Sequence, residues 1–194
     1  MPLRFSLIAP VICLLLAGCA RAPQELVLSG PTMGTTYSVK VALPPAGIDG
    51  SSVRTAVDQV LDRIDRDMSG YRDDSTISRF NASTSTDWFD VPNDLIEVVS
   101  EALRVAELSQ GALDITVAPL VNLWGMGAAG PRTDLPSDAE IALAQALVGY
   151  RKLEIREDTP ALRKQAPELT VDLNAVAPGS IWRSEERRVG KECR

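Results

Sequence analysis

Residues 36–64 read TYSVKVALPPAGIDGSSVRTAVDQVLDRI, and the period of their apolar positions changes part-way along. Tyr37, Val39, Val41 and Leu43 alternate with mostly polar residues, the spacing of a strand with one covered face. Pro44-Pro45-Ala46-Gly47 is turn chemistry. Beyond it Val53, Ala56, Val57, Val60, Leu61 and Ile64 recur at intervals of three and four, the stripe of an amphipathic helix that Ser52 is placed to cap. A second helix follows Pro92-Asn93, with Ile96, Val99, Ala102, Leu103 and Ala106 inward and Gly111 placed to end it. A third opens at Ser137-Asp138-Ala139-Glu140, the arrangement in which the Ser and Glu side chains satisfy each other's orphan backbone N–H groups, and carries Ile141, Ala144 and Leu147. Two short strands are expected over 152–156 and 169–173, separated by a polar, proline-bearing connection. Strands and helices in this mixed order predict an α+β fold.

Composition narrows the chemistry. With 194 residues, 45% hydrophobic and 24% charged, the chain can fill one globular core. A net charge of −6 argues against a nucleic-acid partner, because neutralising phosphates needs a basic face that this sequence does not show. Histidine is absent, which removes imidazole bases, His-based triads and His-ligated metals. The cysteines are Cys13, Cys19 and Cys193, so no disulfide framework or thiol nucleophile lies within the body of the chain.

The two ends read differently from the body. Arg4 precedes an apolar run from Leu7 to Ala17, a charged n-region and short h-region too brief to span a bilayer, which needs about 20 apolar residues. The run ends in Leu16-Ala17-Gly18-Cys19, which resembles a lipobox. Residues 1–18 are therefore expected to be a signal peptide, Cys19 the lipidated N-terminus, and 19–29 a tether holding the domain to a membrane on the periplasmic side of the envelope. At the other end, residues 183–194 have no helical or strand periodicity and look like a translated sequencing adaptor. They are set apart from the expected domain, residues 30–182.

Four segments are not explained by periodicity. Gly30-Pro31-Thr32-Met33-Gly34-Thr35-Thr36 is a Gly- and Thr-rich turn with N–H and hydroxyl groups to offer. Met68-Ser69-Gly70-Tyr71, followed by Asp74-Ser75-Thr76-Ile77-Ser78-Arg79-Phe80-Asn81, clusters hydroxyls with an aromatic ring; taken alone it reads as a helix end and a solvated loop. Gly111 to Gly125 sets a lone Asp114 in an apolar run. Burying that carboxylate unpaired would cost several kcal/mol, so the protein or a ligand must supply donors. In Val171-Asp172-Leu173-Asn174-Ala175-Val176-Ala177, an acidic side chain ends a strand and a turn follows. Carboxylates and free carbonyls there suit a hard cation such as Mg2+ better than a transition metal.

In order and spacing these segments resemble the signatures of the ApbE family, the FAD:protein FMN transferases. They are the T-M-G-T-T turn, the M-S-x-Y and S-x-I-S-R-F-N pair, the G-A-L-D-I-T-V block with N-L-W-G, and V-D-L-N-A-V-A. The resemblance implies transfer of the FMN half of FAD to a threonine of exported redox proteins, with release of AMP and a requirement for Mg2+. It implies that Met33, Tyr71, Ala112, Leu113, Asp114 and Asp172 contact FAD and that the Ala175 carbonyl is a Mg2+ ligand.

Two departures accompany it. Pro178-Gly179-Ser180 stands where the family has Lys or Glu, then Gly and an aromatic residue. The family's later His-containing turn, and the Asp and Thr that complete its metal site, have no counterpart, so the 194 residues alone are expected to be inactive and poorly folded. Competing readings are an envelope FAD carrier without transfer and a pyrophosphatase that splits FAD into FMN and AMP.

Overall fold

The computed structural model describes residues 25–45, 47–128 and 130–177. The expected signal peptide, Cys19, Pro178 and residues 183–194 lie outside them. The chain divides into two compact units, Met1–Ala56 and Val57–Arg194.

In the first unit, strands β1 (Glu25–Thr32) and β2 (Thr35–Ala42) form an antiparallel hairpin in which Leu28 faces Val39 and Gly30 faces Tyr37. Glu25–Ser29, within the expected tether, therefore lie in a strand. The hairpin tip is Met33-Gly34, with φ of 43° and 73°; two left-handed residues match the right-handed twist of the strands they join. Leu28 is buried, and Tyr37, Val39 and Val41 are half-buried, as their alternation predicts. Leu43 departs from that pattern. It lies past the end of β2 at a φ of 53° and is 73% exposed. A Cβ at Gly30 would come within 2.8 Å of Tyr37 Cε1, so the missing side chain lets the ring lie over the backbone.

Helix α1 (Gly50–Met68) follows, and its cap corrects the sequence reading. Asp49, not Ser52, satisfies the first turn: its carboxylate accepts from Ser51 N (3.1 Å) and Ser52 N (3.3 Å) and from both serine hydroxyls. Those donors, led by the Ser51 hydroxyl, hold the Asp49 carboxyl down at about 2.

In the second unit α1 buries Val60, Leu61 and Ile64 of the stripe read from sequence, and Met68 beyond it; Val57 is half-buried, as is Val53 in the first unit, where Ala56 is exposed. The remaining elements are α2 (Thr76–Ala82), β3 (Phe89–Asp90), α3 (Asn93–Leu108), α4 (Ala118–Leu123), α5 (Asp138–Leu147), β4 (Leu153–Arg156) and β5 (Ala161–Lys164). The strands form an antiparallel sheet in the order β3-β5-β4. Its inner residues Leu153 and Leu162 pack with Ile77, Phe80, Leu95, Val99, Ile115 and the alternating trio Leu169, Val171 and Leu173.

Three expectations are corrected here. The strand after β4 is Ala161–Lys164, within the stretch read as a connection, because Arg163 and Lys164 disguise its apolar face. Residues 169–173 bury every second side chain as a strand does, yet join no ladder among the described residues. Residues 76–82, read as a solvated loop, form a helix with Ile77 and Phe80 buried, capped by Ser75 Oγ accepting from Ser78 N at 3.0 Å. α3 ends as Gly111 foretold, but the left-handed turn begins one residue earlier: Gln110 N donates to Glu107 O (3.1 Å) and Gly111 N to Ala106 O (2.8 Å).

The capping box at α5 is present in full. Ser137 Oγ accepts from Glu140 N, and Ser137 N donates to Glu140 Oε2 at 2.8 Å. Those donors, the Ser137 backbone first, then its hydroxyl and Arg132, bring the Glu140 carboxyl down from 4.5 to about 2. Because folding lowers this pKa, the stabilisation is complete above the unfolded carboxyl's titration and is lost as pH falls through about 2. Carboxyl NMR of Glu140 is expected to show a midpoint near 2, with the α5 amide shifts unmoved at pH 4.

Candidate functional site

Three of the four unexplained segments meet at the backbone of Val171 and Asp172. From the second segment, the Asn81 side chain behaves as a strand would: Nδ2 donates to Val171 O and Oδ1 accepts from Val171 N, both at 2.8 Å. From the third, Ile115 O accepts from Asp172 N at 2.7 Å. This is why 169–173 stays extended without a partner strand. The chain then turns. Asp172 Oδ1 accepts from Asn174 N (2.8 Å), and Val176 N and Ala177 N both donate to Leu173 O (2.9 and 2.8 Å). Among the described residues, Asp172 Oδ2 accepts no hydrogen bond. Asp172 is half-buried and Ala175 exposed, and the Ala175 carbonyl is likewise without a donor among the described residues. The turn thus presents a carboxylate oxygen and a main-chain carbonyl, both hard oxygen donors.

Asp114 finds its donors within the protein. Oδ1 accepts from Thr116 N (2.8 Å) and Thr116 Oγ1 (2.6 Å), and Oδ2 accepts from Tyr150 N (2.9 Å). The fully buried Thr116 hydroxyl also accepts from Gly149 N at 2.7 Å. Asp114 thereby fastens the 111–116 turn to the start of the segment leading into β4. The N–H groups of Ala112 and Leu113 are spent on Ser109 O and Oγ, both at 3.2 Å. What this turn offers a ligand is therefore carbonyl oxygen and the exposed edge at Ala112. Thr116→Val keeps the shape but strands the Gly149 N–H, so it is expected to cost about 1–3 kcal/mol, read as a fall in the thermal midpoint.

Tyr71 is 63% exposed, its N–H on Ser69 Oγ at 3.3 Å. The turn it occupies is pinned to the start of α2, where Ser75 Oγ and Ser78 Oγ donate to Ser69 O at 2.6 and 3.2 Å. Met33, in the first unit, is 43% exposed at the hairpin tip with its left-handed φ.

The sequence reading passed over Lys164. It is 1% exposed at the end of β5, and its ammonium lies near Asn81 O, Ser83 O, Pro167 O and Leu169 O. Burial pushes its pKa below the usual lysine range, and Glu168 offsets part of that. The one available signal was its position two residues after Leu162, on the inward face of a strand.

A protein-family model described as the ApbE family matches residues 33–184. The chain belongs to the ApbE family. It is 44% identical over 177 residues to the FAD:protein FMN transferase of Vibrio cholerae serotype O1, covering 91% of this chain and 52% of that protein. It is 37% identical over 179 residues to the enzyme of the same name from Haemophilus influenzae, covering 90% and 51%. Among solved structures, the flavin transferase ApbE from Vibrio cholerae superposes with a TM-score of 0.82 at 39% identity, over 88% of this chain and 54% of that one. The apo flavinyl transferase ApbE of Pseudomonas stutzeri does so at 0.77 and 34%, over 87% and 53%. The chain thus spans about half the length of the curated relatives it matches. The α+β architecture expected from sequence is that of ApbE structures.

Proposed function

We propose that the protein is a FAD:protein FMN transferase that moves FMN from FAD to a threonine of exported redox proteins, releases AMP and works with Mg2+. The observation carrying this reading is the convergence of Asn81, Ile115 and Asp172 at one extended stretch, after which the Asp172 Oδ2 and the Ala175 carbonyl, three residues apart, accept no hydrogen bond among the described residues. The relatives named above support FMN transfer from FAD to protein, which is all that their names state.

Asp172 and the Ala175 carbonyl would hold Mg2+ or the nucleotide's polar groups. Mg2+ takes about six oxygens, so a bound ion would need oxygens beyond these two, as its usual phosphate partners would supply. Among the described residues no group of three or more His, Cys, Asp or Glu is arranged to hold a metal. When bound, the ion supplies neutralisation of pyrophosphate charge. Within the second unit, Ala112 and Leu113 offer carbonyls to the nucleotide, Asp114 keeps them in place, and Tyr71 offers an exposed side chain to its flavin half. In the transfer, the acceptor threonine oxygen bonds to the FMN phosphorus and the bridging P–O bond breaks. AMP leaves, and the hydroxyl proton passes to a base.

Export is part of the proposal, with lipid on Cys19 anchoring the protein to a membrane on the periplasmic side. Among the described residues no helix is long and apolar enough to cross a membrane. The test is co-expression of the full-length gene product with an exported acceptor carrying a target threonine. Covalent flavin fluorescence of the acceptor in a denaturing gel is expected. A dark acceptor beside FAD-bound protein would mean storage instead, and FMN and AMP formed without acceptor would mean hydrolysis.

A further inference from the structure

Lys164 is a buried cation whose hydrogen-bond partners are carbonyls, Glu168 acting on it only from beyond ion-pair distance. Its Nζ lies 2.7 Å from Ser83 O, 3.1 Å from Leu169 O, 3.2 Å from Pro167 O and 3.4 Å from Asn81 O, and 4.9 Å from the centre of the Phe80 ring. Among the described residues no acid lies within ion-pair distance of it. A lysine serving only to fill the core would cost less as a methionine, since desolvating an ammonium is expensive even when carbonyl dipoles face it. What it gains is a junction. Ser83 and Asn81 belong to the end of α2, whereas Pro167 and Leu169 belong to the stretch leading into Asp172. The ammonium joins the two through these carbonyls, and the Asn81 side chain joins them again through Val171.

We propose that Lys164 is a positioning residue for the nucleotide site, tying the end of α2 to residues 167–171 and so fixing, through Asn81, where Asp172 and the Ala175 carbonyl stand. This rests on the functional reading above. Among the described residues the segment has no neighbouring strand to hold its register, so its place depends on these few bonds. Small displacements are enough to matter, because a shift of about 1 Å at a reacting centre can cost on the order of a hundredfold in rate.

The experiment compares the full-length gene product with its Lys164→Met and Asn81→Ala variants at a temperature where each is folded by circular dichroism. The dissociation constant for FAD and the Mg2+ concentration giving half-maximal transfer are measured for each. Lys164→Met keeps the aliphatic stem and removes the donors; Asn81→Ala frees Val171 and leaves the ammonium where it is. Both variants are expected to weaken FAD binding by about tenfold or more and to raise the Mg2+ midpoint, with binding stoichiometry unchanged. A lowered melting temperature with both constants unchanged would overturn the proposal, because that is the mark of a purely structural lysine. Should Lys164→Met fail to fold, Asn81→Ala decides alone, and failure of both to fold overturns the proposal in favour of a stability role. Absence of FAD binding by the unsubstituted protein would instead sink the functional reading, and this inference with it.

Discussion

Asp172→Asn is expected to lower kcat/KM for FMN transfer by about a hundredfold or more while leaving the melting temperature of the full-length gene product within a degree or two. Losing one preorganised charged group at a phosphoryl-transfer centre typically costs on the order of 10²–10³ in rate. The fold should tolerate the change, because the amide oxygen of Asn can still accept from Asn174 N, the one hydrogen bond that the Asp172 side chain makes among the described residues. Asp114→Asn is the contrasting case. Its carboxylate serves three donors, so its replacement should show mainly as lost stability. Steady-state kinetics beside thermal melts separate the two. An Asp172→Asn enzyme with undiminished kcat/KM would remove that carboxylate from the site.

The second large effect falls on Phe80→Ala. Phe80 is 1% exposed, meets the Phe89 ring edge-on at 5.7 Å and 74°, and lies beneath the Lys164 ammonium. Truncating a buried Phe costs about 3–5 kcal/mol through lost transfer energy and the cavity left behind. At roughly 2–4 °C per kcal/mol for a domain of this size, the thermal midpoint should fall by on the order of 10 °C. Leu143→Ala on α5, where the side chain is 71% exposed, should stay within about 0.5 kcal/mol of wild type. Calorimetric melts of both variants check this, and equal midpoints would mean that Phe80 is not a core residue.

The parts of the fold legible in the sequence were those whose apolar period is long and whose caps are chemically explicit. α1 and α3 bury the stripes that their three- and four-residue spacing picks out, and α5 opens on the capping box spelled by Ser137 and Glu140. Short elements were obscured by polar residues with hidden partners. α2 is rich in hydroxyls that bond to Ser69 O and Asp67, so a buried helix looked like a wet loop. β5 carries two basic residues, one paired across the sheet with Glu154 and stacked near Trp88, the other sunk into carbonyls. The alternation over 169–173 reported burial correctly but could not reveal that its partners are a side-chain amide and a loop carbonyl.

The same holds for the candidate site. That Asp114 needs donors follows from its apolar neighbours; that they are Thr116 and Tyr150 depends on a contact 36 residues along the chain. Asp172 could be singled out as a carboxylate at the end of an alternating run, whereas the role of Lys164 emerges only from four carbonyls brought together by the fold.

Titration calorimetry of FAD into the full-length gene product, with and without Mg2+, is expected to show saturable binding of one FAD per protein that tightens with Mg2+ and is sharply weakened by Asp172→Asn. No heat with FAD under either condition, from a protein that melts cooperatively, would contradict the proposed function.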